Sequence, residues 1–83
     1  MITNKKQMLL DLSQDLYRVA MGRQRGQVGM ARVFAKEAEA RIGEIGDVKY
    51  GDKIVNSLAS KEERSAEDLL MYSTIIKNYS LKL

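Results

Sequence analysis

Side chains able to do covalent or acid–base chemistry are scarce in this chain. It has no His and no Cys, so the commonest general base, the commonest nitrogen ligand and the thiolate nucleophile are all missing. Its serines have no imidazole partner, and no Ser–Lys spacing singles out an activated hydroxyl. Glu37, Glu39, Glu44 and Asp47 are the carboxylates that a hard cation would suit. On a helix, residues two apart diverge by ~200°, so Glu37 and Glu39 do not converge on one ion. They read as solvated surface groups. The expectation is a protein that is not an enzyme, with no catalytic or metal site and no cofactor.

Two patterns remain. The first is Gly22-Arg23-Gln24-Arg25-Gly26-Gln27-Val28-Gly29. It has the glycine density of a phosphate-cradling loop. Such loops follow a strand and carry Gly-Lys-Ser/Thr or an equivalent, whereas here an amphipathic helix precedes the glycines. Gly22 and Gly26 also form a small pair four residues apart, a spacing that lets two helices approach closely.

The second pattern is electrostatic. Residues 1–36 carry seven basic and two acidic side chains, a balance of +5; residues 37–83 carry seven basic and nine acidic, a balance of −2. No carboxylate lies between Asp15 and Glu37. Arg18, Arg23, Arg25, Arg32 and Lys36 are therefore the candidate contacts for an anion or a partner. They suit an acidic protein surface, including the Glu62–Asp68 region of another copy of the chain. Phosphate neutralisation on nucleic acid is the alternative. Phe34 is the one aromatic side chain between Arg18 and Lys36, too few for a base-stacking platform, and no recognition-helix pattern is visible.

The elements that must carry these residues are helical. Among 83 residues there is no Pro and no Trp, and most positions hold fair or good helix formers. Thr3 or Asn4 can cap a first helix, in which Leu9, Leu12, Leu16 and Val19/Ala20 recur at helical spacing. The stretch after it is ambiguous. Gly22, Gly26 and Gly29 each cost up to ~1 kcal/mol in a helix interior, which favours a hairpin. Against a hairpin, no Ser, Thr, Asn, Asp or Pro occurs from Leu16 to Gly46, so a second helix has no good cap. Running the helix through keeps Leu9, Leu12, Leu16, Ala20, Met30, Phe34, Ala38 and Ile45 on one face. That phase favours one long, Gly-kinked helix over the hairpin. Gly43 and Gly46 end it.

Asp47 or Asp52 can cap a short third helix over Asp52–Ala59. Val48-Lys49-Tyr50 and Lys53-Ile54-Val55 around Gly51-Asp52 leave a β-hairpin as a lesser alternative. Ser60-Lys61-Glu62-Glu63 is a capping box and Ser65-Ala66-Glu67-Asp68 a second. Either starts a last helix running to about Tyr79, with Leu69, Tyr72, Ile76 and Tyr79 on one face and Ile75 beside them. Its apolar arc makes it the expected centre of the fold. Met8, Met21, Met30 and Met71 lie on or beside apolar faces and are expected to pack in the core.

The expected architecture is thus all-α: one small helical domain, residues 1–83, of three or four helices. A helix over residues 4–43 would be ~60 Å long, and the remaining residues could not cover its apolar face. That predicts a homodimer, each copy covering the other's stripe. No apolar run is long enough for a membrane span or a signal peptide, which predicts a cytoplasmic protein. The function expected is a non-enzymatic interaction or regulatory module acting as a homo-oligomer, with a small nucleic-acid-binding protein as the alternative.

Overall fold

The computed structural model describes residues 4–60 and 64–83. They form α1 (Lys5–Gln24), α2 (Val28–Ile45), α3 (Gly51–Ala59) and α4 (Arg64–Leu81), with no strand among the described residues. α1 begins at the anticipated cap. Asn4 is in extended backbone, and its Oδ1 accepts from the Lys6 N–H at 2.9 Å, satisfying one free donor of the first turn.

Residues 4–43 are not one helix; the chain takes the hairpin. α1 ends in a pair of bonds. The Gln27 N–H donates to the Gly22 carbonyl at 2.8 Å and the Gly26 N–H to the Arg23 carbonyl at 3.3 Å, with Gly26 at φ +73°. This Schellman arrangement needs a left-handed residue just past the helix, which glycine adopts without a Cβ penalty. The missing cap that argued for continuity is real, because Gln27 makes no side-chain bond to α2. The break is set by how α1 stops rather than by how α2 starts. The longest molecular extent is 37 Å, well short of the ~60 Å that a continuous helix would need.

α2 returns antiparallel to α1. A Cβ on Gly22 would stand 3.1 Å from the Ala31 Cβ, and Ala31, Ala35 and Ala38 are buried. Small residues on both sides let the two backbones lie close. α4 packs along the other flank of α1, also antiparallel, with the Ser73 hydroxyl donating to the Ser13 carbonyl at 2.9 Å. α1, rather than α4, is therefore flanked on both sides. Its Leu9, Leu12, Leu16, Val19 and Ala20 have no exposed surface.

α4 buries the narrow stripe Leu69, Ser73, Ile76 and Ser80. Tyr72 and Tyr79 are half-buried, and Met71 is 48% exposed. α3 adds Ile54 and Leu58 to the same core. The four described methionines rim this core: Met8 and Met21 are half-buried, and Met30 and Met71 are exposed.

Gly46, at φ +79°, stops α2, and its N–H donates to the Ile42 carbonyl at 2.9 Å; Gly43 lies inside the helix. α3 is capped by neither Asp47 nor Asp52. Tyr50 occupies that position in the left-handed region at φ 61°, an uncommon conformation for an aromatic residue. Its ring stands 6.0 Å from that of Tyr72, and the Lys49 and Lys53 ammonium groups lie 5.6 and 5.7 Å from its centroid. The Gly51-Asp52 dipeptide is the first turn of this helix, not a β-turn. The Ser60–Glu63 capping box extends outside the described residues, and Ser65 lies inside α4 rather than before it.

The glycines separate by what surrounds them. An added Cβ on Gly29 or Gly43 would meet nothing within 4 Å beyond its chain neighbours and the backbone of its own helix. Gly29→Ala and Gly43→Ala should each raise stability by about 0.5–1 kcal/mol. Gly22→Val should lower it, because the added atoms meet Ala31 and the Gln27 carbonyl. Urea titration of the three variants checks the opposite signs.

Candidate functional site

The five basic residues separate once the helices are placed. Arg23, on the last turn of α1, points inward across the bundle. Its Nη1 donates to the Ser57 carbonyl at 2.9 Å and to Ser65 Oγ at 2.6 Å, and its Nη2 to the Leu58 carbonyl at 2.6 Å. These carbonyls belong to the last turn of α3, where no intrahelical donor remains. Arg23 is thus a C-terminal cap supplied from another helix, tying α1, α3 and α4 together. Its burial lowers its pKa from the usual guanidinium value, and it stays protonated. The structure uses it as an internal tie, so it leaves the set of outward contacts.

Arg18 is half engaged. It lies over the Phe34 ring at 5.1 Å, and its Nη1 is 3.8 Å from Asp15 Oδ1. Asp15 itself is 2% exposed and accepts from Arg41 Nε at 2.7 Å. Arg41 also reaches Asp11 at 3.6 Å. The hydrogen bond to Asp15 is the main cause raising the Arg41 pKa. This network joins α1 to α2 along one seam. Sequence reading did not single out Arg41. The available signal was Asp11 and Asp15, two carboxylates four apart on one helix face, which together require a cation.

Arg25, Arg32 and Lys36 are exposed. Among the described residues the ion pairs are Lys5–Asp47, Arg18–Asp15, Arg41–Asp11 and Arg41–Asp15, and none involves these three. Arg25 sits at the hairpin tip; Arg32 and Lys36 lie one turn apart on the outer side of α2. Val28 and Val33, 61% and 57% exposed, stand beside them. Sequence reading missed these two valines, because a continuous helix gives no reason to separate the inner from the outer side of α2.

Comparison with family models, curated proteins and solved structures returns no match. Among the described residues, no group of three or more His, Cys, Asp or Glu is placed to hold a metal ion. No helix of the described residues is long and apolar enough to cross a membrane.

The exposed cations and the internal one should behave differently on substitution. Replacing Arg25, Arg32 and Lys36 together with Gln is expected to change stability by less than about 1 kcal/mol, since solvated charges contribute little to folding. A loss of many degrees in melting temperature would show that they are structural.

Proposed function

We propose that this chain is a non-catalytic protein-interaction module, acting as a homo-oligomer, and that the outer face of α2 is its docking surface. The observation that carries this reading is Arg25, Arg32 and Lys36, exposed and without ion pairs, next to the exposed Val28 and Val33. Cations steer and orient an acidic partner, while flanking apolar side chains supply burial. The hairpin removes the earlier reason for a dimer. Leu9, Leu12 and Leu16 are covered within one chain, so self-association has to use a different face.

The same cations underlie the nucleic-acid alternative, but the apolar neighbours here are aliphatic and offer no stacking platform. A photoreactive amino acid in place of Val33, introduced in the native cell, tests the reading. Protein adducts are expected from position 33. Absence of protein adducts, or adducts to nucleic acid, would overturn it. In solution, binding to nonspecific duplex DNA should be absent at moderate salt. Affinity falling linearly with salt on logarithmic axes would favour phosphate neutralisation instead.

A further inference from the structure

The charges on the outward side of α2 run against its helix dipole. On that side Arg32 and Lys36 lie in the N-terminal half and Glu37, Glu39 and Glu44 in the C-terminal half, while the third basic residue, Arg41, turns inward to Asp15. It has no acidic residue in its first turn and no basic one in its last. A helix dipole favours the reverse order at both ends. Arg32 and Lys36 are also like charges four residues apart, which weakens an isolated helix. Among the described residues, none of Arg32, Lys36, Glu39 and Glu44 has an ion-pair partner in the chain. Departures of this kind from local consistency are expected where a surface serves a partner.

We propose that the partner on this face is a second copy of the same chain, its α2 lying antiparallel across a two-fold axis at the level of Lys36. The inference rests on the docking reading above and names the occupant. At ~100° per residue, Gly29, Val33, Lys36, Ala40 and Gly43 run down the outer side of α2, spaced four, three, four and three residues apart. All five are exposed. Arg32 and Glu39 share one border of that row.

An antiparallel mate sets Arg32 of each helix against the acidic half of the other, while Lys36, on the axis, comes level with its own counterpart, a like-charge contact that the two flexible stems relieve by splaying apart. Arg32 then meets Glu39 of the partner subunit, and by symmetry Glu39 meets the partner's Arg32. The two dipoles oppose, so each helix end gains the charge that its own sequence lacks. Gly29 comes level with Gly43 of the partner subunit, which lets the backbones close in at both ends of the contact. Within one chain an added Cβ on either glycine meets nothing within 4 Å beyond its chain neighbours and its own helix backbone.

Charge exchange tests this. Wild-type protein should rise in mass from 9.4 kDa toward twice that value as concentration increases over the micromolar-to-millimolar range of a small, reversible interface. Arg32→Glu and Glu39→Arg should each weaken self-association by about tenfold or more, because each creates two repulsive contacts per dimer. Mixing the two variants, or combining both changes in one chain, should restore association, because opposite charges face each other again. Sedimentation equilibrium of the wild type, both variants, their mixture and the double variant reads all five.

A wild-type mass near 9.4 kDa at every concentration overturns the second-copy assignment. So does a mixture that stays monomeric. If position 33 still forms adducts to a different protein in the cell, the interaction module stands and only the identity of its partner changes.

Discussion

Replacing Arg23 with Met is expected to lower folding stability by about 3 kcal/mol or more, a large share of the 5–15 kcal/mol of a typical domain. Three hydrogen bonds from one guanidinium end on the Ser57 carbonyl, the Leu58 carbonyl and Ser65 Oγ. Each is charge-assisted, and bonds of that kind contribute about 1.5–3 kcal/mol. Met approximates the length of the stem but supplies no donor. The last carbonyls of α3 then lose their cap and the positive charge that suits a helix C-terminus.

α3 has nine residues, too short to persist by propensity, so its hold on the bundle depends on this tie and on Ile54 and Leu58. Arg23→Lys should recover little, because one ammonium group cannot span carbonyls and hydroxyl in the guanidinium's planar fork. Urea denaturation of both variants provides the measurement. A loss below about 1 kcal/mol for Arg23→Met would mean that water replaces the guanidinium without penalty and that the clamp is incidental.

Ile76→Ala should cost about 2–5 kcal/mol. Ile76 has no exposed surface and belongs to the core cluster with Leu69 and the α1 leucines. Deleting its outer atoms leaves a cavity between α1 and α4, and the close-packed neighbours relax into it only in part. Met71→Ala supplies the control on the same helix. Met71 is 48% exposed, so its truncation should change stability by about 0.5 kcal/mol or less. A small effect at Ile76, or equal effects at both positions, would refute the packing of α4 on α1.

The all-helical class was legible in the residues themselves. Absence of Pro, abundance of good helix formers and the recurrence Leu9, Leu12, Leu16, Ala20 are local properties, and they act whatever the chain packs against. Asn4 as a cap and the stop near Gly46 were legible for the same reason, because each is settled within one turn of backbone. The interior stripe of α4 was legible in part. Leu69 and Ile76 are buried, but periodicity could not tell that α1 and α3 would cover them and leave Met71 outside.

The hairpin was harder to see because the decisive bonds run backward from Gln27 to Gly22. A search for caps on the second helix looks on the wrong side of the turn. Once the chain reverses, residues that share a face on a continuous helix part company, and Phe34 and Ala38 pack while Met30 stays exposed. The candidate basic cluster divided for the same reason. The sequence shows five cations with no carboxylate between Asp15 and Glu37. Only the tertiary structure brings the end of α3 to Arg23 and the Phe34 ring to Arg18, leaving Arg25, Arg32 and Lys36 in solvent. Local sequence determines which segments coil, because turn-scale hydrogen bonds and propensities are short-ranged. Which cation becomes a structural tie and which remains free depends on contacts between residues as far apart as 23 and 65, and only packing decides those.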